Sequence, residues 1–456
     1  MDFSALTGAQ RAFFDTGATR DPAFRRRALC TLAAALRARE TALCEALRQD
    51  LGKSDFEGYM CEIGLVLDDL AYLEKHLDAW SKPRRVKTPL AQFYSRSSRL
   101  PSPKGCVLVM SPWNYPLMLS LEPLAGALAA GCCVLLKPSA YAPATSRALK
   151  ELLNACFAEE YVAVVEGGRA ENAALLEQPF DHIFFTGSVP VGKLVMEKAA
   201  AHLCPVTLEL GGKSPCIVER TADLDVAAKR IAFGKFLNCG QTCVAPDYIL
   251  CDAAVKDALL AKLKAATAAQ YGARPLENPD YGKIVTKRHF DRLLGLLEGA
   301  QVAYGGGADA EALRIEPTIL DGVTAESPVM QEEIFGPLLP ILTYQTLDEA
   351  VAFVNARPHP LALYLFTKSK AVQRRVLHGC QFGGGCVNDT VIHLATSHMP
   401  FGGVGASGMG AYHGKDSFDT FTHYKSIVDK ATWLDLPIRY QPYTKTKEKL
   451  LRLFLK

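Results

Sequence analysis

Residues 105–137, which open as Gly105-Cys-Val-Leu-Val-Met-Ser-Pro-Trp-Asn-Tyr-Pro116, decide the fold. The β-rich run Cys106–Met110 predicts a short strand. Leu119–Ala130 predicts a helix, and Cys132–Leu136 predicts a second strand directly after it. A strand, a crossover helix and a strand in this order indicate a parallel sheet.

The same alternation extends along the chain. Three more β-rich runs continue this sheet: Tyr161–Val165, His182–Phe185 and Pro205–Leu208. After Gly211-Gly212 a second alternation of strands and helices begins. Towards the N-terminus, Asp21-Pro22 predicts the start of a helix that runs to about Leu51. We therefore expect the α/β class, with two doubly wound, parallel-sheet (Rossmann-like) domains.

Length and composition limit the kind of protein. A chain of 456 residues predicts two or three domains, because one core rarely grows so large. An apolar share of 49% with 22% charged residues is typical of a soluble enzyme. The net charge of +3 is too small to indicate nucleic acid as a partner. The 14 cysteines are scattered and no secretory segment begins the sequence, so we expect a reducing, cytoplasmic location.

One long apolar stretch, Pro116–Leu136, has to be weighed against a membrane span. It carries Glu122 and Pro123 near its middle, which favours a buried helix that runs into a buried strand. Lys445–Lys456 mixes lysine with leucine and predicts a short amphipathic tail. We therefore expect no membrane anchor.

Cys243 is the candidate nucleophile. It follows Gly240-Gln-Thr at the end of an apolar, helical segment. A thiol on such a turn can supply both a nucleophile and, through its own backbone N–H, an oxyanion donor. A free thiol is only a few per cent ionised at neutral pH, so it needs helpers. Cys239 invites a metal or redox reading, but no second pair with histidines accompanies it, so we expect a small buried side chain and no metal.

Polar residues at the ends of apolar runs are the candidate helpers. Asn114 could donate to an oxyanion or simply hold a turn. Glu209 ends an apolar strand, where burial raises a carboxyl pKa towards the range of a general base, and Glu333 offers a second carboxylate. Lys137 could meet a nucleotide or be an ordinary exposed lysine. Residues 187–192 could approach a phosphate or form only a tight turn.

Taken together, these segments identify a family. The sequence resembles the NAD(P)-dependent aldehyde dehydrogenase superfamily over essentially its whole length, and most of all its class 3 branch, which is short at the N-terminus and dimeric. Seven segments carry the resemblance: Ser111–Pro116, Leu208–Pro215, Gly240–Cys243, Glu332–Pro337, Pro400–Gly408, Ala411–Phe418 and Arg439–Tyr443.

The resemblance implies oxidation of aldehydes to carboxylic acids with NAD(P)+. Cys243 would form a covalent thiohemiacetal and then a thioester. Asn114 and the Cys243 backbone N–H would form the oxyanion hole. Glu209 would activate the water that hydrolyses the thioester. Either Glu209 or Glu333 could be this base in class 3 relatives, and we favour Glu209.

The resemblance also implies a nucleotide site, for NAD or NADP. Its residues would be Lys137, Gly187, Ser188 and Gly192 on the adenosine side, and Glu333 with Phe335 beside the nicotinamide ribose. One departure matters: the family often has glutamate where this chain has Ala140. A glutamate there holds the ribose hydroxyls and repels a 2′-phosphate, so its absence predicts dual specificity, tilted towards NADP.

The aldehyde tunnel would be lined by Tyr115, Trp113 and the stretch Thr390–Met399, which predicts medium-chain aliphatic or aromatic aldehydes. Two alternatives stay open from the sequence. One is an acylating aldehyde dehydrogenase that releases the acyl group to a thiol. The other is a catalytically silent binding protein on the same fold.

The resemblance divides the chain and predicts a homodimer with a small β oligomerisation flap. The expected units are an NAD(P)-binding domain (1–82 and 103–210), a catalytic domain (211–397), a flap (83–102 and 398–430) and a C-terminal tail (431–456).

Overall fold

A computed structural model describes residues 2–455. The α-helices are α1 (Ser4–Asp15), α2 (Pro22–Ala38), α3 (Glu40–Leu51), α4 (Asp55–Gly58), α5 (Gly64–Ser81), α6 (Met118–Ala130), α7 (Pro143–Cys156), α8 (Arg169–Leu176), α9 (Val189–Ala201), α10 (Leu224–Phe236), α11 (Lys256–Tyr271), α12 (Lys287–Gly295), α13 (Leu347–Asn355), α14 (Lys370–Gly379), α15 (Gly414–Thr420) and α16 (Lys445–Phe454). A π-helical turn, Tyr59–Ile63, joins α4 to α5.

The β-strands are β1 (Arg84–Val86), β2 (Ser95–Pro103), β3 (Cys106–Met110), β4 (Cys133–Lys137), β5 (Val162–Val164), β6 (His182–Thr186), β7 (Val206–Glu209), β8 (Pro215–Val218), β9 (Tyr248–Asp252), β10 (Gln301–Tyr304), β11 (Ala308–Asp309), β12 (Arg314–Ile315), β13 (Thr318–Asp321), β14 (Leu338–Tyr344), β15 (Ala362–Phe366), β16 (Gly384–Val387), β17 (Gly408–Met409) and β18 (Thr422–Lys430).

The first sheet has six strands in the order β17-β7-β6-β3-β4-β5. All its neighbours are parallel except β17, which runs antiparallel to β7. Met110 is in register with Lys137, and Thr186 is in register with Glu209. The carboxyl ends of β3, β4, β6 and β7 therefore meet along one edge, where open α/β sheets bind ligands.

The second sheet has seven strands in the order β10-β13-β14-β9-β8-β15-β16, with only β10 antiparallel to its neighbour. Its strands β8, β9 and β15 are buried along their whole length. This is the continuous apolar pattern of a parallel sheet covered on both faces. The predicted α/β class with two doubly wound, largely parallel sheets is confirmed.

Every residue of α6 is buried. The helix ends at Gly131, whose φ of 95° lies in the left-handed region that favours glycine, and β4 begins two residues later. The apolar stretch 116–136 is thus a core helix followed by a core strand, as predicted. Within residues 2–455 no helix is long and apolar enough to cross a bilayer.

The prediction of one helix from Pro22 to Leu51 is wrong, because the chain forms two. Asp21 does cap the first helix, its carboxylate accepting from the Ala23 N–H. At Arg39 the backbone leaves helical geometry (φ −114°, ψ 13°). Helix α2 then packs on α5, α6 and α7, while α3 packs on α7 and α4, so the break lets the two helices take different directions over shared neighbours.

A small antiparallel sheet joins two distant segments. Strand β2 lies between β1 and β18 and pairs with β18 along nine residues, from Ser95 opposite Lys430 to Pro103 opposite Thr422. Strand β1 is exposed along its length. The predicted β-flap is therefore present as a three-stranded sheet.

Candidate active site

The turn that carries the candidate nucleophile has an unusual backbone. Asn238, Cys239 and Gly240 all have positive φ, at 52°, 52° and 71°. For residues other than glycine such a conformation costs about 1–3 kcal/mol and persists only where its surroundings hold it. The Asn238 amide donates to the carbonyls of Asn114 (2.8 Å) and Gln241 (3.2 Å). These hydrogen bonds hold the strained backbone in place, and Cys243 follows directly after this turn.

Gln241 is the second clamp on this turn. Its side-chain NH2 donates to the carbonyls of Asn238 and Lys283, each at 3.0 Å, and its Oε1 accepts from the Val285 N–H at 3.0 Å. The buried Gln241 side chain thus makes three hydrogen bonds, and each of them joins it to a backbone group. The sequence motif Gly-Gln-Thr-Cys thus has a structural glutamine beside its cysteine.

Asn114 lies against this turn. Its side-chain Nδ2 donates to the Gln241 backbone carbonyl at 3.0 Å, and the backbone carbonyl of Asn114 accepts from Lys53 Nζ at 2.9 Å. Lys53 and Glu62 form a fully buried ion pair at 2.6 Å. An amide nitrogen has two protons, so one donor of Asn114 is left for a ligand.

The Lys53–Glu62 ion pair links the Asn114 loop to the start of helix α6. The second oxygen of Glu62 accepts from the N–H groups of Leu117 (2.7 Å) and Met118 (3.2 Å), where α6 begins. Lys53 Nζ also lies 4.0 Å from the centre of the Tyr115 ring. Sequence reasoning missed both charged residues, because nothing in the local sequence marks them as partners of the Asn114 loop.

Cys243 opens into an apolar cavity of about 180 Å³. The lining residues are Met60, Cys61, Leu65, Tyr115, Met118, Leu119, Phe233, Leu237, Thr242, Cys243, Val244, Val391, Ile392, Leu394, Ala395, Phe401, Tyr412 and His413. Burial, reinforced by the charges of Glu333 and Glu209, raises the pKa of the Cys243 thiol to about 12. The thiol is therefore protonated at neutral pH. A neighbouring group has to take the thiol proton for the sulfur to attack a substrate.

Glu209 is the last residue of β7 and is 2% exposed. Neither of its carboxylate oxygens has a hydrogen-bond partner among the described residues. Burial alone raises the pKa of this carboxyl well above its ordinary value. A carboxyl with no fixed partner is free to bind and deprotonate a water molecule.

Glu333 lies in the segment before β14 of the second sheet. Its charge also raises the pKa of the Cys243 thiol, but its carboxylate has different contacts from that of Glu209. The Glu333 carboxylate lies so close to Gly211 that a β-carbon at that glycine would collide with both oxygens. Burial, and then the charge of Asp247, raises the pKa of Glu333 to about 8, although a hydrogen bond from the Gly212 backbone opposes the shift. Gly211 and Gly212 thus form the surface on which the Glu333 carboxylate lies, here called its seat.

Lys137 is buried, not an exposed strand-end lysine. Its Nζ donates to the carbonyls of Gly167 (2.6 Å) and Pro138 (2.8 Å) at the edge of the first sheet. Burial lowers the pKa of its amine to about 8. The lysine is thereby held at the predicted adenosine side of the site.

The turn after β6 fits a pyrophosphate. Exposed Ser188 precedes α9 and its side chain does not cap the helix, so the first N–H groups of this 13-residue helix stay available. A β-carbon at Gly187 would lie 2.6 Å from the Phe185 ring, and one at Gly192 would lie 2.7 Å from Leu210. Both glycines therefore allow close packing within the protein: Gly187 against Phe185, and Gly192 of α9 against Leu210. Close helix–strand packing of this kind is one role of glycine in dinucleotide sites.

Tyr115 lines the cavity and its hydroxyl contacts Thr242 Oγ1 at 2.6 Å. Trp113 is not among the residues that line it, because its ring packs against Phe335 (5.3 Å between centres) and His289 (5.1 Å). Phe335 itself has a φ of 48°. Within the predicted stretch 390–399, four residues line the cavity: Val391, Ile392, Leu394 and Ala395.

The fold and the site thus define a two-sheet α/β protein with a thiol on a rigid turn, carboxylates beside it and a dinucleotide-type turn nearby. The profile of the Aldehyde dehydrogenase family matches residues 3–427. A Staphylococcus aureus (strain NCTC 8325 / PS 47) protein, 4,4'-diaponeurosporen-aldehyde dehydrogenase, is 50% identical over 448 residues, or 98% of this chain and 97% of that one.

Two mammalian aldehyde dehydrogenases and a solved bacterial structure are also similar to this chain. Aldehyde dehydrogenase family 3 member A2 of Mus musculus is 43% identical, covering 98% of this chain and 92% of its own. The protein named aldehyde dehydrogenase, dimeric NADP-preferring, of Canis lupus familiaris is 44% identical, covering 96% and 97%. The substrate-bound state of Staphylococcus aureus AldH matches with a TM-score of 0.98 at 48% identity, covering 100% of both chains.

The chain belongs to the aldehyde dehydrogenase family, and its relatives support the class 3 branch. It is an NAD(P)-dependent aldehyde dehydrogenase. The residues at the sheet edge fit the nucleotide: a buried lysine and a helix N-terminus without a side-chain cap, with glycines that let this helix and turn pack closely.

Proposed function

We propose that the protein oxidises apolar aldehydes to carboxylic acids through a covalent intermediate on Cys243. One observation carries the proposal: Cys243 lies in an apolar cavity, Asn114 bonds to the turn that carries it, and the charges of Glu209 and Glu333 raise the pKa of its thiol. These are the nucleophile, the oxyanion donor and the base that an acyl-transfer site needs.

The first step forms a bond between the Cys243 sulfur and the aldehyde carbon, and the carbonyl oxygen takes the electron pair. The free N–H of Asn114 and the Cys243 backbone N–H stabilise this oxyanion. Losing one such donor costs about 2.7–4 kcal/mol in a comparable site. Because the thiol pKa is about 12, its proton has to pass to a carboxylate during the attack.

When bound, NAD(P)+ supplies the acceptor for the hydride that leaves the substrate carbon. Glu333, with Phe335 nearby, would hold the nicotinamide ribose. Lys137, Ser188 and the glycines 187 and 192 would hold the adenosine side. Trp113, which contacts Phe335, belongs with this group by its position.

The thioester that remains on Cys243 is then hydrolysed. Glu209 takes a proton from water, the water oxygen adds to the acyl carbon, and the carbon–sulfur bond breaks to release the acid. Glu209 suits this role because both its oxygens are unpartnered and its pKa is raised. An acylating enzyme that passes the acyl group to a thiol would not need such a base.

The lining of the cavity supports medium-chain aliphatic or aromatic aldehydes as substrates. Apart from Thr242 and His413, the side chains that form it are apolar, aromatic or sulfur-containing. A panel of aliphatic and aromatic aldehydes, assayed with each nucleotide, tests this substrate class. The highest kcat/KM is expected for apolar aldehydes, and a preference for small polar ones would contradict the proposal.

We also propose dual nucleotide specificity tilted towards NADP, because Ala140 neither bonds the ribose hydroxyls nor repels a 2′-phosphate. NADP efficiency below about 1% of NAD efficiency, a gap of roughly 2.7 kcal/mol, would refute this proposal. Ala140→Glu is expected to lower NADP efficiency with less effect on NAD.

For the assembly we propose a cytoplasmic homodimer. The three-stranded sheet of β1, β2 and β18 supports an oligomerisation flap, and one relative is named as dimeric. Residues 1–82 with 103–210 would bind the nucleotide, and 211–397 would carry the catalytic cysteine. Sedimentation of the full chain tests the oligomeric state.

The direct test of the reaction compares two thiols of one cavity. Cys243→Ala is expected to abolish aldehyde-dependent reduction of the nucleotide while leaving nucleotide binding intact. Cys61 lines the same cavity, so Cys61→Ala is the matched control and is expected to retain activity. Full turnover by Cys243→Ala would refute the mechanism.

A further inference from the structure

A small acidic chamber adjoins the aldehyde cavity. It has a volume of about 20 Å³, enough for one water molecule or an ammonium head. Its walls are Leu65, Asp68, Asp69, Glu122, Leu394, Ala395, Thr396, Ser397 and His413. Four of these, Leu65, Leu394, Ala395 and His413, also line the aldehyde cavity. The chamber therefore lies next to the cavity that contains Cys243, and the two share part of one wall.

The chamber contains two buried carboxylates, and one oxygen of Asp69 has no hydrogen-bond donor among the described residues. Asp69 and Glu122 are 4% and 5% exposed. Asp69 Oδ1 accepts from Ser397 Oγ (3.4 Å) and the Gly414 N–H (3.3 Å), but Oδ2 has no partner among the described residues. Glu122 Oε2 differs, because His413 Nε2 lies 3.3 Å from it. Buried carboxylate oxygens of this kind are costly unless a donor reaches them.

His413 does not balance the charge. Its Nε2 lies 3.3 Å from Glu122 Oε2, and its ring stacks on Phe401 at 5.3 Å with an angle of 16°. One imidazolium would face two carboxylates here, and a third, Asp68, lies at the exposed rim. Neither lysine nor arginine lines the chamber or the cavity within residues 2–455.

Burial and the neighbouring charges shift the pKa values of both Asp69 and His413. Burial, and then the charge of Glu122, raises the pKa of Asp69 to about 7, even though His413 opposes the shift. Burial lowers the pKa of His413, but Glu122 and Asp69 outweigh it and the pKa is raised. Asp69 is thus the carboxylate that the imidazole leaves uncompensated.

We propose that this chamber, formed by Asp69, Glu122 and His413, binds a protonated amine at the far end of the substrate. The preferred substrates would then be apolar-chain aldehydes whose other end carries an ammonium group. The chain would occupy the apolar cavity, and the ammonium would donate to Asp69 Oδ2 and Glu122 Oε2. This inference rests on the proposed function and adds a substrate class to it.

Unreactive probes test the chamber without chemistry at Cys243. Calorimetric titration of the wild-type chain with n-alkylammonium ions of six to twelve carbons is compared with n-alkanols of equal length. At one chain length the ammonium is expected to bind at least tenfold more tightly than the alcohol. Equal affinity of ammonium and alcohol at every length would overturn the proposal.

Variants locate the effect. Glu122→Gln and Asp69→Asn are each expected to reduce the ammonium preference to less than threefold while alkanol affinity stays unchanged. Glu74→Gln is the matched control, because Glu74 is an exposed carboxylate on the same helix as Asp69 and pairs with Arg26. A preference that survives in both chamber variants would place the ammonium elsewhere and overturn the proposal.

The outcome is separable from that of the proposed function. Oxidation of n-octanal by the wild-type chain tests the Cys243 chemistry with no amine present. A chain that oxidises octanal but shows no ammonium preference overturns only this inference. A chain that shows the preference but does not oxidise octanal supports the chamber and refutes the proposed substrate class.

Discussion

Glu209 and Glu333 both raise the pKa of the Cys243 thiol through their charges, yet Glu209 is buried whereas Glu333 is half-buried, and their surroundings differ. Glu209 ends a strand of the first sheet and has no hydrogen-bond partner within residues 2–455. Glu333 comes from the segment before β14, lies against Gly211 and is stabilised as an anion by the Gly212 backbone. An unpartnered carboxyl can move and exchange protons, whereas a seated one can hold a ligand in place. This difference supports the proposal that Glu209 activates water and Glu333 binds the nucleotide.

The largest expected effect separates the two residues by which step fails. Glu209→Gln keeps the size of the side chain but removes the base, so steady-state turnover should fall by about 10²–10⁴-fold. Rapid-mixing measurements should still show a first turnover of nucleotide reduction, because hydride loss precedes hydrolysis. If Glu209→Gln left steady-state turnover unchanged, the assignment of the base would be lost.

Glu333→Gln should act on the nucleotide. Losing a charged hydrogen bond costs about 1.5–3 kcal/mol, so the dissociation constant of NAD(P)+ should rise roughly 10- to 150-fold. Fluorescence titration measures it. Glu332→Gln serves as the control, since Glu332 is the exposed neighbour that pairs with Arg292. A nucleotide affinity equal in both variants would contradict the role of Glu333.

The pH dependence sharpens the comparison. The pKa of Glu333 is about 8, so its ionised fraction rises about tenfold from pH 7 to pH 9. The ionised carboxylate is the better acceptor for two hydroxyl donors, so NAD(P)+ affinity should rise with pH through about 8 and level off above about 9. Glu333→Gln should give a flat profile. An affinity of the wild type that falls over this range would contradict the assignment.

Gly211→Ala should give the smallest change and leave both carboxyls chemically intact. The added β-carbon would push the Glu333 carboxylate from its seat. Nucleotide KM should therefore rise several-fold while the apolar aldehyde's KM stays unchanged. Steady-state kinetics with each substrate varied in turn would reveal it, and a change confined to the aldehyde KM would argue against Gly211 as the seat.

Much of the fold follows from local sequence because its strands are apolar runs bounded by polar turns. Cys106–Met110 was predictable to the residue, and the other parallel strands of the first sheet to within one residue, but the antiparallel edge strand Gly408–Met409 was not predicted. The break at Arg39 was not, because it depends on which neighbours α2 and α3 meet. Tertiary packing overrides helix propensity there.

The site divides in the same way. Residues inside motifs, such as Cys243 and Glu209, could be named from the sequence. The Lys53–Glu62 pair could not, because its importance comes from the Asn114 loop about fifty residues away. Trp113 shows the opposite failure: its motif suggested the tunnel, but only the folded chain shows its ring on Phe335.

Mass spectrometry of the acyl-enzyme tests the central claim most directly. Glu209→Gln, mixed with an apolar aldehyde and NAD(P)+ and quenched in acid, should carry one acyl group, and peptide mapping should find it on Cys243. Glu333→Gln at saturating nucleotide should not accumulate it, because its hydrolytic base is intact. Nucleotide reduction by Glu209→Gln without an acyl group on Cys243, or with one on another residue, would contradict the account.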